Sequence, residues 1–207
     1  MKAIPGMMGM ALEIMTDQNI KPKTSIMTKI AHRFRNHVID SDTETLIIGT
    51  FNPEMESNDA EFFYGRGRNY LWRLLPSFYE GTDLKEADTL TKKQFIKKHK
   101  IDFVDLIDEV KIEGENMPNL IDDKVIDKCV TSWKDIPKEI ERLKNLKRVC
   151  LTRKSFSGIP NIKMKINEIQ RFCESQEIPF QFLVTPARFH NEKKQEEWNN
   201  FLGHGPR

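Results

Sequence analysis

Hydrophobic residues along this chain fall into short continuous runs separated by helically spaced ones. Four runs are brief and largely apolar, which is typical of strands buried in a parallel sheet. They are TLIIGT (45–50), IDFVDLI (101–107), KRVCLT (147–152) and PFQFLVT (179–185). The pattern therefore predicts four strands.

Between and after these runs, apolar residues follow helical spacing. The segment beginning at Asn69 predicts a helix that Pro76 limits, and KKQFIKKHK (92–100) predicts a short basic helix. Ile162, Ile166, Ile169 and Cys173 share one helical face, and Trp198, Phe201 and Leu202 mark the apolar face of a last helix. Strands alternating with helices predict an α/β fold, with a mostly parallel sheet covered by helices on both faces.

A parallel sheet of this kind predicts where a binding site lies. Ligands bind in the crevice beyond the carboxyl ends of the strands. Three segments follow strand ends and should share that edge: Gly49–Pro53, Thr152–Lys154 and Thr185–Arg188.

Composition narrows the class of protein. The chain has 207 residues with 33 Lys and Arg against 31 Asp and Glu, so contact with nucleic acid would need local clusters of basic residues. No apolar run reaches the roughly 20 residues of a membrane helix, and we expect no membrane contact. The three cysteines, Cys129, Cys150 and Cys173, are far apart and odd in number, which indicates a reducing, cytoplasmic location without disulfides.

Motifs for metals, phosphate loops and serine hydrolases are absent. His32 and His37 share no helical face, and we interpret them as surface or partly packed residues rather than metal ligands. Asp102, Asp105 and Asp108 occur together, but acids in such a pattern most often cap helices and face solvent. The sequence therefore predicts neither a metal nor an organic cofactor.

The stretch FNPEMESNDAEFFYGRGRNYLW (51–72) carries the most distinctive chemistry. Asn52-Pro53 is either an ordinary turn or a strand tip at which Asn52 holds a water. The aromatic residues Phe62, Phe63 and Tyr64 are either core or, because a Gly/Arg loop follows them, partly a platform for stacking a base. Asn69 most simply caps the helix after it.

In order along the chain, four segments resemble the uracil-DNA glycosylase superfamily, nearest its mismatch-specific and hypoxanthine-DNA glycosylase branches. They are LIIGTFNP, FYGRGRNYLW, IDFVDLIDEVKIEGENMPNLIDD and LVTPARF, and together they cover about residues 34–202. The resemblance implies a three-layer αβα sandwich around a four-stranded parallel sheet. It also implies an N-terminal extension over residues 1–33 and a glycosylase-like domain over residues 34–207.

The function implied by the resemblance is hydrolysis of the N-glycosidic bond of a deaminated base, uracil or hypoxanthine, in DNA. The partner would be DNA containing damaged bases, and the protein would act as a monomer. The base would be flipped out of the helix, and water would then attack the sugar.

The resemblance also implies roles for particular residues. Asn52 would position the water, with Thr185 as a second catalytic residue; Phe63 or Tyr64 would stack on the base, and Asn69 would read its edge. Gly49, Thr50, Phe51 and Pro53 would complete the substrate pocket. Contacts to DNA are expected from Arg66, Arg68, Arg153, Lys154, Pro186 and Arg188.

The first motif departs from the family pattern, because two residues separate Gly49 from Asn52 where the mismatch-specific branch has one. The second motif lacks the histidine with which classical uracil enzymes stabilise the leaving base. These departures favour an alternative function. In that alternative the chain is an inactive relative that binds nucleic acid, a nucleotide or a protein partner without cleavage.

Overall fold

The structure is a computed structural model, and it describes residues 26–203. Its strands are β1 (Met27–Ala31), β2 (Thr45–Gly49), β3 (Ile101–Asp105), β4 (Ile107–Glu113), β5 (Val130–Trp133), β6 (Arg148–Leu151) and β7 (Phe180–Phe182). Its α-helices are α1 (Leu71–Tyr79), α2 (Thr89–His99), α3 (Asp123–Cys129), α4 (Ile136–Arg142), α5 (Pro160–Ser175) and α6 (Glu192–Gly203). A 3₁₀ helix spans Gly114–Asn119.

The four predicted strands form a single sheet in the order β3-β2-β6-β7, and all of its neighbouring strands are parallel. Residues of β2 alternate between the two faces. Leu46 and Ile48 pack with Ile166 of α5, whereas Ile47 packs with the side of the sheet that holds Trp72 of α1 and Trp198 of α6. The predicted α/β class, a four-stranded parallel sheet with helices on both faces, is confirmed.

The helical faces predicted from spacing are also buried. Ile162, Ile166, Ile169 and Cys173 of α5 are almost fully buried, as are Trp198, Phe201 and Leu202 of α6. Cys150 and Cys173 are buried core residues, and all three cysteines are free thiols. Within residues 26–203, no helix is long and apolar enough to cross a membrane.

Pro76 does not limit α1, as the sequence predicted, but lies inside it. A proline there cannot donate to the carbonyl four residues earlier, which belongs to Trp72. The amide of Leu84, in the loop after the helix, donates to that carbonyl at 2.8 Å instead. Because another donor satisfies the freed carbonyl, the helix continues through the proline.

A second sheet was not predicted. It is antiparallel, with the order β1-β4-β5. The predicted run 101–107 therefore belongs to two strands, because the chain leaves the parallel sheet after Asp105 and enters β4 at Ile107. Register shifts near Glu109 interrupt the alternation that would have identified β4 as a half-exposed strand.

The pairing in this second sheet concerns the boundary that the sequence predicted between residues 33 and 34. β1 pairs with β4 along its whole length, from Met27 opposite Glu113 to Ala31 opposite Glu109. Residues 27–33 are thus part of the same folded unit as the rest, although the sequence assigned them to an extension. Residues 1–25 of that extension lie outside the described residues.

Candidate active site

A cavity of about 700 Å³ opens at the carboxyl ends of the parallel strands. Most of the residues singled out from the sequence line it: Gly49, Thr50, Phe51, Asn52, Phe63, Tyr64, Arg66, Asn69, Arg153, Lys154, Thr185 and Arg188. Three do not line it, namely Pro53, Arg68 and Pro186, but each adjoins a residue or loop that does. The strand topology thus brings the three predicted edge segments together.

The loop with Gly65–Asn69 and the loop after β7 are joined directly. Asn69 forms an isolated antiparallel bridge with Ala187, and the amide of Arg188 donates to the carbonyl of Arg68 at 2.8 Å. The amide of Tyr70 donates to the carbonyl of Pro186 at 3.0 Å. These main-chain bonds bring Arg68 and Arg188 together at one side of the cavity mouth.

Asn52 lines the cavity, but its side-chain oxygen is already bonded inside the protein. The amide of Asn58 donates to this oxygen at 2.6 Å, and the guanidinium of Arg66 donates to it at 3.2 Å. Asn58 is fixed in turn, because it donates to the carbonyl of Pro53 and accepts from the amide of Ala60. Arg66 also donates to Asn58 at 3.3 Å. Both lone pairs of the Asn52 oxygen are therefore used, and its NH₂ group remains to face a ligand.

Asn69 has the same arrangement. Its side-chain oxygen accepts from the amide of Leu71 at 3.0 Å, just before α1. The cap residue of α1 is Tyr70, which makes no side-chain cap bond, so the prediction that Asn69 caps the helix was wrong by one residue. Asn69 lines the cavity, and its NH₂ group makes no hydrogen bond to the described residues. Asn52 and Asn69 therefore both offer hydrogen-bond donors to whatever occupies the cavity.

Asp105, at the end of β3, supplies the opposite chemistry. It lines the cavity and is nearly buried, and its Oδ2 lies 2.6 Å from Nε2 of His32, which is itself only 4% exposed. Its Oδ1 packs against the Cα of Gly49, where any Cβ would overlap it. Gly49 is therefore needed for the carboxylate to lie at the strand ends.

The bonds of His32 fix its tautomer. The backbone amide of Phe34 donates to Nδ1 of His32 at 3.0 Å, so Nδ1 acts as an acceptor. The ring proton of a neutral imidazole must then be on Nε2, from which it is donated to Asp105. His32 thus orients the Asp105 carboxylate through Oδ2, and Oδ1 of this cavity-lining residue makes no hydrogen bond to the described residues.

Tyr64 closes the cavity beside Asp105. Its hydroxyl lies 3.2 Å from Oγ1 of Thr152, and its backbone takes the left-handed conformation with φ of 56°. Burial, and next the charge of Asp105, raise the pKa of the Tyr64 phenol well above its ordinary value, so the hydroxyl stays protonated at neutral pH. Phe63 reaches the same wall, but most of it is core, packed at 4.8 Å from Phe34 and 5.1 Å from His37 between ring centroids.

The loop after β7 is held from beneath by Lys194 of α6. The side chain of Lys194 is buried, and its ammonium donates to the carbonyls of Ala187 at 3.0 Å and of Phe189 at 2.7 Å. Thr185 closes the same turn, since its hydroxyl oxygen accepts from the amide of Ala187 at 3.3 Å. Arg188 takes a φ of 78°, and Phe189 is 55% exposed beside it.

The predicted basic residues differ in their partners. Arg153 forms an ion pair with Asp123, and Lys154 forms one with Glu197 at 2.7 Å. Arg66 turns inward to Asn52 and Asn58, and burial lowers its pKa. Within residues 26–203, the side chains of Arg68 and Arg188 have no acidic partner.

The lysine-rich helix α2 lies away from the site. It leads into the start of β3, and its end is therefore at the opposite edge of the sheet from the cavity. There Lys98 pairs with Glu80 at 2.5 Å, and Lys100, just after the helix, pairs with Glu44 at 2.7 Å.

Sequence reasoning missed five residues that shape the site: His32, Asn58, Asp105, Phe189 and Lys194. The expectation that Asp102 and Asp105 face solvent was wrong, because Asp102 is 2% exposed and bonded to His37. His32, expected at or near the surface, is buried against Asp105. One signal was available for Asp105: it lies near the end of the predicted strand 101–107. In the described part of the chain, no three His, Cys, Asp or Glu side chains are grouped so that they could hold a metal.

Comparison with known proteins gives one informative match. No family model matches the chain, and no curated protein does. Among solved structures, the chain is similar to the solution NMR structure described as "a putative Uracil DNA glycosylase from Methanosarcina acetivorans", with a TM-score of 0.57 and 20% identity. The alignment covers 80% of this chain and 92% of the other. The two proteins share a fold. An identity this low supports a shared fold but does not establish a shared activity.

Proposed function

We propose that this protein is a DNA glycosylase that hydrolyses the N-glycosidic bond of a deaminated base, uracil or hypoxanthine. The observation that carries the proposal is Asp105. It is a nearly buried carboxylate, oriented by His32, in a cavity whose other polar groups include the NH₂ donors of Asn52 and Asn69. The shared fold with a protein described as a uracil DNA glycosylase agrees with this reading.

In the proposed reaction, Asp105 replaces Asn52 as the group that holds and activates the water. An activating group must accept a proton, and the oxygen of Asn52 is bonded to Asn58 and Arg66. The water oxygen attacks C1′ of the deoxyribose, and Asp105 takes a proton from the water as the new bond forms. The bond from C1′ to the base breaks, and its electron pair leaves on the base nitrogen. The carboxylate also stabilises the positive charge that develops on the sugar.

The donors in the cavity agree with a deaminated base. Deamination replaces an exocyclic amino group by a carbonyl oxygen, which accepts hydrogen bonds. The NH₂ groups of Asn52 and Asn69 can donate to carbonyl oxygens but cannot accept from an amino group. These two donors therefore fit the carbonyl oxygens of uracil or hypoxanthine.

The loop after β7 supplies the features that engage a DNA duplex. Arg68 and Arg188 have no acidic partner among the described residues, so their positive charge can bind the phosphate backbone. Phe189 is an exposed apolar side chain next to them, and proteins that unstack DNA insert apolar side chains of this kind between bases. In the proposal, Phe189 fills the space that the flipped base vacates.

Excision from labelled oligonucleotides tests the proposal. The duplexes would carry uracil, hypoxanthine, xanthine or a thymine mismatch, and alkali would cut the abasic product. We expect cleavage of uracil or hypoxanthine and none of undamaged DNA. If folded protein binds these duplexes but cleaves none of them, the inactive relative is the correct reading. The bonded oxygen of Asn52 is the observation that favours that alternative.

A further inference from the structure

The cavity is also lined by the charged side chain of Arg66, to which the proposed reaction assigns no role. Arg66 comes from the Gly65–Asn69 loop, and its guanidinium lies among uncharged partners. Nε donates to Asn58, and one terminal nitrogen donates to Asn52. In the described part of the chain the other terminal nitrogen has no protein partner. The group therefore keeps N–H donors for a ligand.

The charge of Arg66 is held close to that of Asp105. Both residues line the same cavity, and the attraction of Asp105, together with that of Asp59, opposes the lowering of the Arg66 pKa by burial. Among the described residues, Arg66 forms no ion pair that would cancel its charge, in contrast to Arg153, which is paired with Asp123. The cavity thus has a negative and a positive group at separate positions.

This arrangement matches the charges of a breaking glycosidic bond. When the bond from C1′ to the base breaks, the sugar becomes positive and the base becomes negative. A carboxylate stabilises the first charge, and a cation with free N–H donors stabilises the second. Fixed charges of this kind act strongly in a site that excludes water.

We propose that Arg66 is a catalytic residue that stabilises the negative charge on the departing base. This inference rests on the proposed glycosylase function. It assigns to Arg66 the task that a histidine performs in classical uracil enzymes, a histidine that the segment LVTPARF lacks. Asn52 and Asn58 have the supporting role of fixing the direction of the guanidinium.

The test compares two substrates that differ only in their leaving group. Uracil is paired with 5-fluorouracil, or hypoxanthine with xanthine, according to the class that the wild-type protein cleaves. The fluorine or the added carbonyl withdraws electrons and stabilises the departing anion, so the second member of each pair needs less help. Single-turnover excision would be measured for the wild type, Arg66→Met and Arg66→Lys.

For Arg66→Met we expect a loss of about 10²–10³-fold on the poorer leaving group, as for other groups that stabilise a developing anion. The loss on the better leaving group should be at least tenfold smaller. Arg66→Lys keeps the charge but cannot bridge both asparagines, and it should recover much of the activity on the poorer leaving group.

Equal losses on both substrates, or a Lys variant as impaired as the Met variant, would overturn the inference, because Arg66 would then only brace the asparagines. Asn58→Ala is the matched control. It loosens the guanidinium but leaves its charge in the cavity, so it should impair the poorer leaving group more than the better one, by a smaller factor than Arg66→Met does. A wild-type protein that cleaves none of the four substrates would instead overturn the proposed function itself.

Discussion

Asn52 and Asp105 both line the cavity, and their neighbours give them opposite hydrogen-bonding roles. The oxygen of Asn52 accepts from Asn58 and Arg66, so Asn52 can only donate to a ligand. Asp105 accepts one hydrogen bond from His32 through Oδ2, and its Oδ1 lies beside Gly49 at the strand ends. The type of a side chain limits the roles that it can have, and its hydrogen-bond partners decide which of these roles remains.

Gly49 gives a prediction at this scale. Gly49→Ala should abolish excision, because the added Cβ would overlap Oδ1 of Asp105 and displace it. We also expect a fall of about 1–3 kcal/mol in the free energy of unfolding, as for other overpacked sites. Denaturant unfolding and single-turnover excision would measure the two effects.

Gly67→Ala is the matched control, because nothing lies within 4 Å of the position that its Cβ would take. It should leave stability within about 0.5 kcal/mol of the wild type. Full activity in Gly49→Ala would contradict the placement of Asp105.

At the scale of elements, the loop after β7 depends on helix α6. The ammonium of Lys194 binds the carbonyls on either side of Arg188, and this holds the turn in which Arg188 has a positive φ. An ammonium buried without an acidic partner is costly, so its two carbonyl bonds are needed for the loop to keep this form.

Lys194→Met should therefore loosen the loop while leaving the rest of the fold intact. We expect the amide of Arg188 to exchange with solvent at least about tenfold faster, since its bond to the carbonyl of Arg68 would open more often. Amides of β2 should exchange as in the wild type. Hydrogen exchange followed by NMR would measure both.

Lys193 is an exposed neighbour on the same helix, and Lys193→Met should change neither set of amides. Unchanged exchange at Arg188 in Lys194→Met would mean that the main-chain bonds alone hold the loop.

The elements also show what the sequence could predict. The parallel strands and the buried faces of α5 and α6 were predictable, because burial on a fixed period leaves a pattern in the chain. Pro76 misled the prediction of α1, since its effect is offset by the amide of Leu84, outside the helix. β1, β4 and β5 were missed because their pairing is long-range and their alternation is irregular.

The pairing of His32 with Asp105 could not be predicted for a related reason. The two residues are 73 positions apart, and they meet only because β1 joins β4, which directly follows β3. Much of the cavity lining was predictable, because the segments after β2, β6 and β7 follow strand ends and meet there. The hydrogen bonds that hold this lining depend on Asn58 and Lys194, which no pattern in the sequence singled out.

At the scale of the whole molecule, basic side chains differ in whether they form ion pairs. The chain has nearly equal numbers of basic and acidic residues, and many of the basic ones form ion pairs. Arg68 and Arg188, beside the cavity mouth, lack such partners in residues 26–203. In the proposed function, DNA would contact the side of the molecule that carries the cavity.

Arg188→Ala should weaken binding to any DNA sequence and lower the slope of log affinity against log salt by about one, the effect of losing one phosphate contact. Lys98→Ala, at the opposite edge of the sheet, should leave the slope unchanged. Binding titrations at several salt concentrations would measure both. Equal slopes for the wild type and Arg188→Ala would remove Arg188 from the DNA contact surface.

The most direct test of the central claim is single-turnover excision by Asp105→Asn beside Asn52→Ala, with DNA binding measured in parallel. If Asp105 is the base, Asp105→Asn should lose about 10²–10⁴-fold in rate and still bind damaged DNA. Asn52→Ala should lose only roughly tenfold, since it removes one donor and part of the brace on Arg66. Near-normal excision by Asp105→Asn, with activity abolished in Asn52→Ala, would contradict the account. Asn52 would then be the residue that positions the attacking water.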